Sequence, residues 1–260
     1  MSTLYIVATP IGNLEDISMR ALRILGSVNF ILCEDTRVTK RLLEHYKIHT
    51  PTISYHEHSD ERKTAEILRL LSQDNNIALV TDAGTPGISD PGGKLIEKVL
   101  ETLGDDVKIE SVPGPSAVTA ALSISGIPTD KFVFMGFPPH KKGRQTFLKK
   151  ILKSEYPVVV YESKHRILKF LDELKSLSLT PDPSPVSRAR GDDEDDEQEN
   201  EYKRENKKDE KPVNLTSIVV CRELSKMHET VYRGNLDSII EKIKLSQNDQ
   251  KGEFVVIIGK

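Results

Sequence analysis

Three loops rich in glycine and proline have the residue types best suited to bind a ligand. They are ATPIGN (8–13), TDAGTPGISDPGG (81–93) and SVPGPSAVTAALSISG (111–126), and each follows an apolar run of strand length. Glycine lets a backbone approach a ligand closely, and proline stiffens the turn around it. Open α/β sheets bind ligands at the carboxyl ends of their strands, so these loops predict a ligand site there.

The loop at 81–93 is the most informative of the three. Its four glycines and two prolines expose backbone N–H and C=O groups that suit a ribose, an adenine edge or a carboxylate. Asp90 and Pro91 fit a helix cap and first turn. Because it lacks both G-x-G-x-x-G and a Gly-Lys-Ser/Thr ending, dinucleotide and nucleoside-triphosphate sites are disfavoured. The alternatives are a purely structural loop here, an ordinary turn at 8–13, and tight helix packing at 111–126.

Acidic side chains follow another apolar run, in CEDTR (33–37). Glu34 and Asp35 stand where a strand's carboxyl end would present a general base, and Arg37 is placed to pair with a phosphate or a carboxylate. A helix N-cap with an ion pair is the alternative for the same residues.

A histidine pair at His56 and His58 flanks Glu57. On a strand the two histidines would share one face, as metal ligands do, but the sequence offers no evident third ligand. We therefore predict no metal site, and favour RNA contact or a structural role for this cluster.

Alternating strand and helix patterns must position these loops. In the first half the predicted strands are 4–8, 28–33, 76–81 and 107–112, and the predicted helices are 18–26, 38–46, 64–73 and 93–104. This order is typical of a mostly parallel sheet with helices on both faces. The turn-forming segment SGIPTD (125–130) predicts a hinge, which divides the chain into an N-terminal α/β domain, 1–126, and a C-terminal α/β domain, 127–260.

The second half repeats the alternation with an interruption. Its predicted strands are 131–137, 157–163, 214–224, 229–234 and 253–260, and its predicted helices are 143–153, 165–177 and 236–244. The short polar connection between the third and fourth of these strands favours a mixed sheet. Residues 178–212, rich in Pro and Ser and then in charge, predict a disordered insertion. A solvated spacer is the favoured interpretation, and an acidic segment that recruits a basic partner is the alternative.

Charge and cysteine usage limit the class of protein. Residues 187–212 hold 11 of the 40 acidic and 7 of the 37 basic side chains, which leaves a nearly neutral 29 and 30 elsewhere. A neutral body confines any RNA contact to a local patch. Cys33 and Cys221 lie in apolar runs, which favours buried thiols in a reducing cytosol over a disulfide or a metal site. No run of 18 apolar residues and no signal-peptide pattern is present, so membrane spanning and secretion are not expected.

Seven segments together resemble the tetrapyrrole-methylase family, and most closely its ribosomal RNA (cytidine-2'-O)-methyltransferase branch. They occur in order as LYIVATPIGNLEDIS (4–18), ILCEDTR (31–37), SYHEH (54–58), ALVTDAGTPGISDPG (78–92), VPGPSA (112–117), FVFMGFPP (132–139) with the basic residues after it, and VVVYES (158–163). ATPIGN replaces the G-P-G-D type of first loop found in branches that act on tetrapyrroles. The insertion departs from the family's usual compact length.

The resemblance implies a fold, a cofactor and site residues. The fold is two α/β domains of the tetrapyrrole-methylase type with S-adenosylmethionine in the cleft between them. The residues that match the family's cofactor loops are Pro10, Ala83, Gly84, Thr85, Ile88, Ser116 and Ala117, joined from the second domain by Glu162 and Leu224. For catalysis the candidates remain Glu34 and Asp35 with Arg37. The basic residues Lys141, Lys142 and Arg144 are the expected phosphate contacts of RNA.

The implied activity is transfer of a methyl group from S-adenosylmethionine to a cytidine 2'-oxygen in small-subunit (16S) ribosomal RNA. The resemblance also implies a homodimer that binds the small ribosomal subunit, and the cysteine usage favours the cytoplasm as its location. Two alternatives stay open: a methyltransferase for a tetrapyrrole or another small molecule, and a non-catalytic RNA-binding or ribosome assembly factor.

Overall fold

The chain forms two compact units in a computed structural model that describes residues 1–56, 59, 61–90, 92–179, 217–246 and 248–259. The first unit consists of Met1–Gly126 with Cys221–Val231 and Glu253–Val255, and the second of Ile127–Val220, Tyr232–Gly252 and Val256–Lys260. Both short segments of the first unit, Cys221–Val231 and Glu253–Val255, lie within the predicted C-terminal domain, 127–260. The expected insertion lies outside the described residues from 180 onward.

The first unit is built on a five-stranded sheet in the order β3-β2-β4-β1-β5, and every adjacent pair in it is parallel. Its strands are β1 (Ser2–Val7), β2 (Phe30–Cys33), β3 (Thr52–Ser54), β4 (Ile77–Leu79) and β5 (Val107–Val112). Its helices are α1 (Met19–Leu25), α2 (Thr36–His45), α3 (Glu61–Ser72), α4 (Gly92–Leu103) and α5 (Ala117–Ser125). The expected parallel α/β sheet is therefore confirmed.

Alternate residues along each strand enter different hydrophobic clusters, because successive side chains of a strand point to opposite faces. Val7 and Ile31 pack in one cluster with residues of α1 and α2. Leu4 and Leu32 pack in another with residues of α3 and α4. Helices thus cover both faces of the sheet, and its carboxyl edge is left to the loops.

The second unit carries another five-stranded sheet, in the order β6-β7-β10-β8-β9. Its strands are β6 (Val133–Phe134), β7 (Val158–Ser163), β8 (Ser217–Arg222), β9 (Thr230–Gly234) and β10 (Glu253–Gly259). Its helices are α6 (Arg144–Lys153), α7 (Ile167–Leu179) and α8 (Leu236–Leu245). The edge strand β6 pairs in parallel with β7.

Several predicted boundaries were wrong for identifiable reasons. The expected strand 131–137 shrinks to β6, because Gly136 turns the chain with a φ of 64°. The strand expected to reach residue 224 ends at Arg222, because Glu223 adopts a φ of 52°. Helix α7 continues through Leu179, two residues into the predicted insertion. Among the described residues no helix is long and apolar enough to cross a membrane.

Candidate active site

The three glycine- and proline-rich loops lie side by side in the first unit. Each follows one of β4, β1 and β5, which are neighbours in the sheet. Thr9 and Gly84 exchange backbone hydrogen bonds of 2.9 and 3.1 Å, which joins the first loop to the second. The Thr85 hydroxyl donates to the Pro115 carbonyl at 3.3 Å, which joins the second loop to the third. One continuous backbone surface results.

Two glycines are required by this close approach. Gly84 is buried and has a φ of 88°, a left-handed conformation that residues with a Cβ rarely adopt. At Gly114 a Cβ would lie 3.1 Å from the Cβ of Ala8, so a larger residue would push the third loop away from the first. The loops are therefore held by their backbones, with few side chains in between.

A distant segment of the first unit covers the first loop. The Lys226 stem lies against Gly12, where an added Cβ would collide with its Cγ. The Lys226 ammonium is fixed by the carboxylates of Glu223 and Glu253, each at 2.9 Å. The Ser225 hydroxyl donates to the Asp16 carboxylate. Sequence reasoning missed this cover, since its parts are separated by about two hundred residues.

The residues matched to the family's cofactor loops differ in exposure. In the first unit Pro10 and Leu224 are buried, whereas Ala83 is exposed and Ile88 is 48% exposed. Ser116 and Ala117 begin α5, and within the described residues the Ser116 side chain makes no capping hydrogen bond. The first N–H groups of this helix therefore receive no acceptor from the Ser116 side chain, an arrangement that favours an anion.

Four carboxylates gather at the carboxyl edge where β2 adjoins β4. Asp35 caps α2 by accepting from the Arg37 N–H at 2.8 Å, and its carboxylate binds the Arg37 guanidinium at 2.6 Å. Asp82 accepts from the Asp35 N–H at 3.1 Å. Glu34 and Asp90 lie close enough for their charges to affect one another. The N-cap and ion pair named as the alternative for Asp35 are thus present, and its catalytic role stays a prediction.

The pKa values of Asp35, Asp82 and Asp90 are shifted in different directions. The guanidinium of Arg37 lowers the pKa of Asp35 to about 2, which makes it a weak base. Burial raises the pKa of Asp90 to about 6, partly offset by a hydrogen bond from Thr81, and the charges of Glu34 and Asp82 raise it further. Burial also raises the pKa of Asp82. A pKa of about 6 suits Asp90 to proton transfer near neutral pH.

In the second unit, Glu162 and Arg144 belong to one buried charge network. The Glu162 side chain is 0% exposed, and its carboxylate lies 2.9 Å from Arg166 and 3.8 Å from Arg144. Arg144 is 5% exposed and also binds Glu173 at 2.6 Å. Neither predicted ligand contact is presented on the surface of this unit. Sequence reasoning missed Arg166 and Glu173, which complete the network.

Lys141 and Lys142 are both exposed, in the loop that precedes α6. They retain the accessibility that a phosphate contact needs, unlike Arg144. His56 is also exposed, while Glu57, His58 and Pro91 lie outside the described residues. Over the part of the chain that the structure describes, no three metal-ligating side chains are grouped.

Comparison with known families gives a match over most of the chain. Residues 3–191 match the model of the tetrapyrrole (corrin/porphyrin) methylases. A Hydrogenobaculum sp. (strain Y04AAS1) protein named ribosomal RNA small subunit methyltransferase I is 39% identical over 99% of this chain and 95% of its own. A Thermotoga maritima protein of the same name is 36% identical over 100% of this chain and 99% of its own.

Solved structures share the fold at low identity. Diphthine synthase superposes with a TM-score of 0.65 at 13% identity, covering 100% of this chain and 90% of that chain. Uroporphyrin-III-C-methyltransferase from Thermus thermophilus superposes with a TM-score of 0.59 at 16% identity, covering 99% of this chain and 94% of that chain. These two show the fold alone, because one fold hosts several substrates.

The fold and the family match together define the class: this is an S-adenosylmethionine-dependent methyltransferase. The chain belongs to the tetrapyrrole methylase family, and the predicted recognition, fold class, enzyme class and cofactor are confirmed. The individual site residues stay predictions that rest on the geometry above.

Proposed function

We propose that this methyltransferase acts on a cytidine 2'-oxygen in the RNA of the small ribosomal subunit. Support comes from the full-length relatives named ribosomal RNA small subunit methyltransferase I. The observation that carries the proposal is the joined surface of the three loops, which suits a nucleoside cofactor. Positioning is then the enzyme's main contribution, worth roughly 7–11 kcal/mol in the best model systems.

The first unit offers groups that fit each part of the cofactor. The exposed backbone at Ala83 suits hydrogen bonding to a ribose or an adenine edge, and the exposed Ile88 offers an apolar surface. The uncapped N–H groups at the start of α5 suit the carboxylate. When bound, S-adenosylmethionine supplies a methyl group activated by a sulfonium centre.

Removal of the 2'-hydroxyl proton falls to a carboxylate of the first unit in this proposal. Glu34, Asp35 and Arg37 are the residues expected from the sequence, and the pKa values favour Asp90 as the proton acceptor. Asp35 and Arg37 then act by fixing the start of α2, where the Asp35 carboxylate accepts from the Arg37 N–H. The Asp35 N–H in turn donates to the Asp82 carboxylate and holds it in place. A positioned base contributes about 10²–10⁴ in rate.

The finer statements on partners also belong to the proposal. The small ribosomal subunit is the expected particle, and Lys141 and Lys142 are the expected phosphate contacts. The family resemblance implies a homodimer, and the free, buried thiols of Cys33 and Cys221 favour the reducing cytoplasm. Sedimentation of the purified chain tests the homodimer, and fractionation of cells tests the cytoplasmic location.

The decisive experiment uses radiolabelled S-adenosylmethionine with small ribosomal subunits that lack their native methyl groups. Label mapped to a cytidine 2'-oxygen supports the proposal. Cofactor binding with label only on a precorrin-like substrate overturns it in favour of small-molecule methylation. Binding of subunits by a protein that does not bind the cofactor overturns it in favour of an assembly factor.

A further inference from the structure

Three aromatic rings meet beside the basic loop of the second unit. The Phe134 and Tyr161 ring centroids are 4.9 Å apart at 66°, and those of Phe137 and Tyr161 are 5.3 Å apart at 57°. These distances are typical of attractive aromatic pairs. Phe137 is nonetheless 50% exposed, so the cluster presents an aromatic surface to the outside. An exposed phenylalanine supported by two further rings offers a ligand a flat aromatic face.

Hydrogen bonds fix the backbone on both sides of Phe137. On its N-terminal side, Met135 donates to the Val159 carbonyl at 3.0 Å, and Gly136 accepts from the Tyr161 N–H at 3.0 Å. On its C-terminal side, the Pro138 carbonyl accepts from Arg166 at 3.0 Å and the Pro139 carbonyl accepts from Arg144 at 3.1 Å.

Glu162 connects these two arginines from inside the unit. Its buried carboxylate binds Arg166 at 2.9 Å and lies 3.8 Å from Arg144. Glu162, Arg144 and Arg166 therefore act as positioning residues for the loop. Arg166 pairs with Glu162 through Nε and donates to the Pro138 carbonyl through Nη1, and the Nη1 of Arg144 that donates to the Pro139 carbonyl lies within ion-pair distance of Glu162. A loop held this firmly binds at a lower entropic cost than a mobile one.

Exposed basic residues occupy the loop that follows Phe137 and the turn that follows the strand of Tyr161. His140, Lys141 and Lys142 follow directly in the fixed loop and are exposed. Lys164 and His165 are exposed in the turn that leads to Arg166, which itself contacts the loop. An aromatic face bordered by lysines combines the two features by which proteins bind single-stranded nucleic acids, base stacking and phosphate attraction.

We propose that Phe137, supported by Phe134 and Tyr161, is a stacking platform for an unpaired base of the RNA substrate, with Lys141 and Lys142 on the adjoining phosphates. This inference rests on the proposed RNA function and adds a base-binding site to it. RNA-modifying proteins read unstacked nucleotides on aromatic side chains. A second copy of the chain is the poorer occupant, because the lysines of two such faces would repel one another.

The chain contains no tryptophan, which allows a direct test. Phe137→Trp places a single fluorescent indole on the platform, and Phe132→Trp places one at a matched control position that is 41% exposed. Titration with a single-stranded oligocytidylate is expected to quench the indole of the Phe137→Trp variant and to leave that of the Phe132→Trp variant unchanged. An abasic ribose-phosphate chain of equal length is expected to quench neither, because it has no base to stack.

Alanine variants measure the strength of the contact. Phe137→Ala is expected to weaken binding of the oligocytidylate about 5- to 150-fold, the range of an aromatic–base stack, whereas Phe132→Ala leaves it unchanged. The Michaelis constant for small subunits should rise while kcat stays constant, because the stack is present before and during reaction. Binding of S-adenosylmethionine and the urea midpoint of each variant confirm that the protein is folded.

Two results would overturn the platform. The first is that oligocytidylate does not quench the indole of Phe137→Trp and that Phe137→Ala binds oligocytidylate as tightly as the wild type, although the wild-type protein methylates small subunits. The other is Phe137→Trp fluorescence that changes with protein concentration in the absence of RNA, together with a change in sedimentation, which assigns the surface to a second copy. Failure of the proposed function is distinguishable from both, since the wild-type protein would then not methylate the subunits.

Discussion

The two candidate binding regions are held in place by opposite means. In the first unit three loops are joined mainly through backbone groups, by the paired bonds of Thr9 and Gly84 and by the bond from the Thr85 hydroxyl to the Pro115 carbonyl. In the second unit the loop after Phe137 is held by side-chain charges, with Arg144 and Arg166 directed by the buried Glu162. Substitutions that add atoms should therefore disturb the first region most, and substitutions that remove a charge should disturb the second region most.

Asp90 is the exception in the backbone-built region, because one side chain is expected to carry its chemistry. Asp90→Asn should lower the methylation rate about 10²–10⁴-fold if the carboxylate accepts the proton. Since its pKa is raised to about 6, wild-type activity should fall as the pH decreases through about 6, and this inflection should vanish in the variant. Rate–pH profiles of kcat measure both effects.

Asp35→Asn is the matched variant for this test. Its pKa of about 2 places its titration far below the assay range, so the inflection near pH 6 should persist. If the inflection near pH 6 is unchanged in Asp90→Asn, or is lost in Asp35→Asn, then Asp90 is not the proton acceptor.

The charge-held region is tested at Glu162. Glu162→Ala leaves Arg144 and Arg166 without their shared carboxylate, and the free energy of unfolding should fall by about 3–5 kcal/mol. Urea unfolding measures the change, with the exposed Glu155→Ala as a control that should move little. An unchanged urea midpoint with weaker binding of S-adenosylmethionine would instead favour the cofactor contact expected from the sequence.

The backbone-held region is tested at Gly84. Gly84→Ala should weaken binding of S-adenosylmethionine and lower stability by about 1–3 kcal/mol, because alanine is strained at a φ of 88°. Gly93→Ala is the matched control, since an added Cβ there meets nothing within 4 Å inside α4. That variant should gain about 0.5–1 kcal/mol from helix propensity. Equal effects of the two substitutions would show that the left-handed turn is unimportant.

The smallest effect is expected for the exposed lysines. Replacing Lys141 and Lys142 by alanine should weaken RNA binding at low salt and reduce the slope of log affinity against log salt by about 1.4–1.8. Stability and cofactor binding should be unchanged, because both side chains are exposed. Filter binding over a salt series measures the slope, and an unchanged slope would remove both lysines from the RNA contact.

Local patterns were sufficient for much of the fold. Apolar runs and amphipathic periodicity predicted most strands and helices of both units, because these patterns indicate which face of an element is buried. Two short edge strands were the exception. Thr52–Ser54 was not assigned, and 131–137 was assigned too long, since short edge strands depend on a neighbouring strand rather than on their own composition.

The sequence by itself determined the alternation of elements, the three loops at strand ends and the family. Those features follow from local residue types and their order. Only the tertiary structure decided which loops join, that Arg144 is buried with Glu162, and that Asp90 has the raised pKa while Asp35 is paired with Arg37. Burial and charge pairing depend on residues distant in the chain, so local sequence patterns do not determine them.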